Sequence, residues 1–108
     1  MKKTLNHISS VKTSHNAGLK RVLLSAEESG CAITQIAVTD LKAGEVAAGH
    51  VHEDMQEGFY VMSGKLDMVL DGVIEHCVAE GFVWVECGTR HELRAKTDVR
   101  VMTIGCAL

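Results

Sequence analysis

Proline is absent from this 108-residue chain, and its four cysteines show no CxxC or other paired spacing. Turns must therefore rely on glycine, aspartate and serine, and the ten glycines point to many of them. The charged N-terminus is followed by no apolar segment, so neither a signal peptide nor a membrane span is expected. We therefore predict a cytoplasmic protein with reduced thiols.

The chain also has no strong excess or clustering of charge of one sign. Eleven basic and fourteen acidic residues are scattered through the chain and give a formal net charge of −3. Without a basic stripe, nucleic-acid binding is not favoured. The 46% of hydrophobic residues is typical of a globular protein, and the length predicts one domain.

Short apolar segments alternate with turn residues, and no segment keeps a helical period over eleven or more residues. This pattern predicts about eight to ten short strands in an all-β sandwich or barrel built from hairpins. Asp71-Gly72 is a strong hairpin signal, and residues 27–30 are predicted as a turn. Residues 1–18 are polar and predict an N-terminal arm, in which His7 and His15 are expected to be solvated. Residues 19–108 would form the single barrel domain.

The sharpest chemical signal lies between Gly44 and Gly64. On a strand, His50 and His52 would project to the same side, and Glu57 follows five residues later. His91 is reached after two further hairpins. Three imidazoles and one carboxylate suit Zn, Fe, Ni, Cu or Mn rather than Ca or Mg. The alternatives are a pair of exposed loop histidines, or Gln56 in place of the glutamate if the strand is bulged.

The same residues resemble the motifs of a known family. Residues 44–64 match the first cupin motif, Gly-x5-His-x-His-x4-Glu-x6-Gly, at every defined position. Residues 81–91 resemble the second motif through two glycines and His91, although Phe82 and Glu86 stand where cupins usually carry Asp and Pro. The chain is therefore similar to a small single-domain cupin.

This resemblance implies a double-stranded β-helix, or jelly roll, of two antiparallel sheets. It implies a metal inside the barrel, held by His50, His52, Glu57 and His91. It also implies a homodimer formed by sheet packing or by an exchanged N-terminal strand. Phe82 and Trp84 are predicted to face outward, which favours a subunit interface on their side.

The candidates for lining a pocket beside the metal are Gln35, Gln56, Phe59 and Val61. Phe59 and Val61 share the parity of Glu57, so they either line the barrel near the metal or pack in the core. Cys87 is either a small buried residue or a thiol near the metal. Few acid–base groups are expected in the barrel, which favours ligand binding or oxygen chemistry over proton-transfer isomerisation.

The expected partner is a small molecule. The first hypothesis is a metal-dependent enzyme of isomerase or dioxygenase type that acts on a small carbohydrate derivative or organic acid. The alternative is a non-catalytic cupin that binds a small molecule such as a sugar, and a third hypothesis is a structural metalloprotein. Fold alone does not decide among them.

Overall fold

The computed structural model describes residues 1–15 and 17–108, and most of them lie in strands. The strands in chain order are β1 (Val11–Lys12), β2 (Leu19–Ser25), β3 (Ile33–Leu41), β4 (Val46–His50), β5 (Met55–Ser63), β6 (Lys65–Leu70), β7 (Val73–Val78), β8 (Phe82–Val85), β9 (His91–Ala95) and β10 (Val99–Ala107). A short 3-10 turn (Leu5–His7) precedes β1, and the helix α1 (Ala26–Ser29) follows β2.

The strands form two antiparallel sheets. One sheet has six strands in the order β1-β2-β3-β10-β5-β8, and the other has four in the order β4-β9-β6-β7. The predicted all-β jelly roll is therefore confirmed. In the described part of the chain, no helix is long and apolar enough to cross a membrane.

The core lies between the two sheets, because alternate side chains of each strand point to the same face. Val61 and Val101 come from the six-stranded sheet, and Leu66 and Met68 come from the four-stranded sheet; each is at most 1% exposed. This apolar contact fixes the register of both sheets, since a slip of one residue would turn each strand's buried side chains to solvent.

The turn between β6 and β7 follows the predicted hairpin signal. Leu70 pairs with Val73, so only Asp71 and Gly72 form the loop. Both have positive φ angles, 46° and 83°. That geometry is the one in which Asp-Gly matches the twist of the two strands.

The turn predicted over residues 27–30 is instead a single helical turn. Ser25 Oγ accepts a hydrogen bond from the Glu28 amide, and the Glu28 carboxylate accepts one from the Ser25 amide. This capping box stabilises a turn too short to show a helical period. Gly30, with a φ of 61°, ends it.

An ion-pair network joins three neighbouring strands on the outer face of the six-stranded sheet. The Asp40 carboxylate accepts hydrogen bonds from Arg100 Nε at 2.7 Å and Nη2 at 3.0 Å. It accepts a third from Arg21 Nη1 at 3.2 Å. The hydrogen bonds from Arg100 are the main reason that the pKa of Asp40 lies below its usual value.

We expect Asp40→Asn to lower the free energy of unfolding at pH 7 by about 1 kcal/mol, because partly exposed charged hydrogen bonds are screened by water. The lowered pKa belongs to the folded state. The stabilisation is therefore complete above the unfolded pKa of about 4 and is lost as the pH falls through the folded value.

Urea unfolding between pH 7 and pH 2 measures this difference. Glu75→Gln, which changes an exposed acid on β7, is the control and should match the wild type throughout. A deficit for Asp40→Asn that stays constant over the whole pH range would contradict the electrostatic explanation.

Candidate metal centre

His50 and His91 are brought together by the pairing of β4 with β9. The two residues are direct partners in the antiparallel ladder, and a register shift separates Ala47 from His50. Their ring centroids lie 4.1 Å apart. His91 opens strand β9 rather than ending a loop, and it is only 1% exposed.

His52 reaches the same place from a loop, since β4 ends at His50. This differs from the predicted placement of both histidines on one strand. The His52 carbonyl accepts a hydrogen bond of 2.7 Å from the Gly88 amide, which ties its loop to the turn before β9. The rings of His50 and His52 lie 4.6 Å apart and are nearly perpendicular.

Glu57 comes from β5 in the opposite sheet. Its Oε1 lies 2.9 Å from His52 Nε2 and 3.3 Å from His91 Nε2. The ladder between β5 and β10 runs without a bulge from Met55 to Val61. Regular alternation therefore turns Glu57 to the inside and Gln56 to the outside.

The ring nitrogens of two histidines are already oriented by backbone carbonyls. Because a carbonyl can only accept, His91 Nδ1 donates to Thr89 at 3.1 Å and His50 Nδ1 donates to Ala48 at 3.3 Å. This leaves the Nε2 atom of each ring free to bind a metal. Backbone partners of this kind commonly fix the tautomer of metal-binding histidines.

Two atoms at the centre of the cluster are buried without a hydrogen-bond partner among the described residues: Glu57 Oε1 and His91 Nε2. An unpaired buried polar atom costs about 1–3 kcal/mol, which a metal ion between them would relieve. One donor atom from each of His50, His52, Glu57 and His91 lies within 4.8 Å of all the others. These residues can therefore hold a metal ion.

The electrostatics keep Glu57 and His50 in forms that bind metals. Burial raises the pKa of Glu57, but His91, His52 and His50 outweigh it and hold the pKa below its usual value. Burial lowers the pKa of His50. Burial also acts to lower the pKa of His91, but Glu57 and the bond to Thr89 together raise it. Glu57 is thus a carboxylate and His50 a neutral imidazole near neutral pH.

A cavity of about 290 Å³ adjoins the cluster and is lined by both sheets and by residues that connect β1 to β2. Gln35 and Phe59 lie in its wall. Val61 does not, because it sits two residues further along β5 and is enclosed by the apolar core. Gln56 is not in the wall either, since it points to the other face of β5.

Two further residues of the cavity wall, His15 and Lys20, belong to no recognisable sequence motif. The prediction of a solvated His15 is wrong, because its ring stacks on that of His50 with centroids 4.2 Å apart and planes 19° from parallel. Lys20 also lines the cavity and donates to Gln35 Oε1 at 3.3 Å. Lys20 pairs with Thr39, another residue of the wall, so strand alternation in β2 was a usable signal for it.

Cys87 is exposed in the loop between β8 and β9 and is not part of the cavity wall. The structure therefore gives no support to a thiol beside the metal. A wider depression of about 670 Å³ lies elsewhere, around Gly18, Asp40 and Arg100. It contains none of the four clustered residues, so we place the chemistry in the smaller cavity.

Residues 37–105 match the family model described as Cupin domain. The chain belongs to this family. No curated protein sequence matches the cupin chain significantly.

Solved structures share its fold. A predicted oxalate decarboxylase from Thermotoga maritima is 21% identical with a TM-score of 0.92, and the match covers 100% of both chains. Ectoine synthase from P. lautus is 18% identical with a TM-score of 0.85, over 99% of this chain and 78% of that one. A cupin sugar phosphate isomerase from Silicibacter pomeroyi is 16% identical with a TM-score of 0.81, over 100% and 76%. At these identities the likeness shows the fold alone.

Removing a ligand from the cluster tests the site directly. We expect the freshly purified wild type to contain close to one equivalent of a transition metal. His50→Ala and His91→Ala should bind it at least about 100-fold more weakly, because losing even an outer partner of a ligand commonly weakens binding 10- to 100-fold.

Elemental analysis and competition with a chelator measure these values. His7→Ala is the matched control, because His7 is exposed and is not one of the four clustered residues. Full metal content in both cluster variants would contradict the assignment of the site.

Proposed function

We propose that this cupin binds one divalent transition metal (Zn, Ni, Fe, Mn or Cu) through His50, His52, Glu57 and His91, and acts on a small organic acid in the adjoining cavity. Four protein ligands leave room for a further ligand on the cavity side. When bound, such a metal supplies a Lewis acid that polarises a ligand oxygen. The residues of the chain would bind and orient that ligand.

The observation that carries this proposal is the position of Lys20. Its side chain lines the cavity, and its hydrogen-bonded partner, Gln35, is neutral. Among the described residues, no carboxylate lies within ion-pair distance of Lys20, and Glu57 is the one acidic residue in the cavity wall. With a divalent ion beside Glu57, the cavity would carry a net positive charge, which favours an anion.

The rest of the wall supports a small, partly polar ligand. A volume of about 290 Å³ lies at the lower end of the range for ligand pockets. Thr34 also lies in the wall, and its buried Oγ1 has no hydrogen-bond partner in the described structure. Phe59 and Leu93 add apolar surface that excludes water from the metal side.

Similar folds serve both substrate classes expected from the sequence. The solved relatives include a predicted oxalate decarboxylase and a sugar phosphate isomerase. Oxalate and sugar phosphates, the compounds in these two names, both carry negative charge. Lys20 supplies a positive charge in the cavity that could pair with such a group. We therefore favour an organic acid over a neutral sugar.

Changing Lys20 tests the substrate class. With metal-loaded protein, we expect oxalate, malonate and pyruvate to bind more tightly than glucose in calorimetric titrations. Lys20→Met should weaken binding of the acids by about 10- to 100-fold, because a hydrogen bond to a charged group contributes about 1.5–3 kcal/mol. Lys20→Arg, which keeps the charge, should retain most of the affinity.

Lys65→Met changes the exposed first residue of β6 and is the control, which should bind like the wild type. Glucose binding as tight as that of the acids, with no effect of Lys20→Met, would contradict the proposed substrate class. Proton NMR of each mixture reports conversion; binding of an acid without any conversion by the loaded protein would favour the non-catalytic alternative.

We also propose that two copies associate through the outer face of the six-stranded sheet. Phe82 and Trp84 are 59% and 44% exposed there, beside the exposed Tyr60 and Met62. Gly58 lies under both aromatic rings, and a side chain in its place would meet them. An apolar patch of this kind is typical of an interface rather than of solvent.

Light scattering over a dilution series tests this association. We expect the wild type to be a dimer and Trp84→Glu to be a monomer, because a buried unpaired charge would oppose association. Glu75→Gln on the other sheet should leave the dimer unchanged. A wild type that is monomeric at every workable concentration would contradict the proposal.

A further inference from the structure

The hairpin formed by β1 and β2 contributes to the wall of the cavity beside His50, His52 and Glu57. Its strands share only two pairs, Val11 with Lys20 and Lys12 with Leu19. From the connection between them, Thr13, Ser14, His15 and Ala17 contribute to the cavity wall. We call these four residues the cover. The same cavity contains His50, His52 and Glu57, so the cover encloses the metal site from the side of the arm.

The base of the cover is held firmly. Ala17 is 5% exposed and belongs to the hydrophobic core. The Gly18 amide donates to Glu45 Oε2 at 3.2 Å, and Gly18 has a φ of 78° against the backbone carbonyl of Asp40. Another residue in its place would be strained and would clash with that carbonyl. The cover is therefore fixed at its Gly18 end, while β1 at the other end is exposed and weakly paired.

His15 is the residue through which the cover touches the metal ligands. Its ring lies nearly parallel to that of His50, with centroids 4.2 Å apart. The centroid of the His50 ring also lies 4.1 Å from that of His91. The ring makes one hydrogen bond to the backbone, to the Ala48 carbonyl at 3.3 Å. The stack on His15 and this hydrogen bond together set the plane of the ring.

His15 itself is not one of the clustered donors. The four residues with mutually close donor atoms are His50, His52, Glu57 and His91. His15 Nε2 instead lies 3.4 Å from Ser14 Oγ on the cover.

We propose that His15 is a positioning residue for His50 and that the cover slows the escape of the metal from the site. The proposal rests on the metal site described under the proposed function. Stacked aromatic pairs contribute about 0.5–1.5 kcal/mol beyond the area that they bury. Loss of the stack should therefore speed metal release by about 2- to 12-fold.

Three variants separate the possible roles of the ring. His15→Ala removes the stack, and His15→Phe keeps a flat ring but no nitrogen. His7→Ala removes an exposed histidine of the same arm. In protein loaded with Co²⁺, we expect a stoichiometry of one in all three. Release to an excess of chelator should be faster in His15→Ala, and close to the wild-type rate in His15→Phe and His7→Ala.

The visible absorption of bound Co²⁺ reports the coordination. Because His15 is not a ligand, His15→Phe should keep the wild-type spectrum. A spectrum changed equally by both His15 variants would show a nitrogen bound to the metal and would overturn the positioning role. Equal release rates for His15→Ala and His7→Ala would overturn it as well.

A second measurement needs no metal. In metal-free protein, we expect nuclear Overhauser contacts between the ring protons of His15 and His50, and a shift of the His50 resonances in His15→Ala. If the wild type bound no metal but showed these contacts, the proposed function and the slowed release of metal would fail, and the positioning of His50 by His15 would stand. Absence of the contacts in protein that does bind Co²⁺ would overturn the cover and leave the metal site intact.

Discussion

One partly buried carboxylate, that of Glu57, lies at the centre of the site in this cupin. Its Oε1 has no hydrogen-bond partner among the described residues, yet it lies within 3.3 Å of ring nitrogens of His52 and His91. A charge cannot be taken from water without compensation, so the imidazoles must surround it. A cation placed among the same donor atoms would satisfy the carboxylate and the rings together. The donor set around Glu57 can therefore hold a metal ion.

The fold brings these groups together from two different sheets, so no single segment of the chain contains the whole site. Glu57 comes from the six-stranded sheet, while His50 and His91 come from paired strands of the four-stranded sheet. The apolar contact between the sheets therefore sets the distance from the carboxylate to the rings. Residues such as Val61 and Met68 have no chemical role, but they hold the two halves of the site at bonding distance.

Much of this was predictable from the sequence, and the rest depended on tertiary contacts. Alternating apolar residues indicated the strands, and Asp71-Gly72 indicated its hairpin because that pair favours the required backbone angles. His15 could not be placed, since the hairpin that carries it over the cavity leaves no periodic pattern. Val61 and Phe59 point to the same face of β5, so strand alternation does not distinguish them. Their positions along the barrel decide that Phe59 meets the cavity and Val61 the core. The spacing of Ser25 and Glu28 is the sequence signal of the capping box that begins the helical turn after Ser25.

The division into an arm of residues 1–18 and a barrel of residues 19–108 stays a prediction.

The central claim is that one metal ion is shared by both sheets beneath the arm. A crystal structure of the metal-loaded protein, with anomalous data collected at the absorption edge of the bound metal, tests it most directly. We expect one strong anomalous peak, which marks a metal ion bound by Nε2 of three histidines and by the Glu57 carboxylate. The ring of His15 should be stacked on that of His50. A peak at any other place, or a metal held without Glu57, would contradict the account.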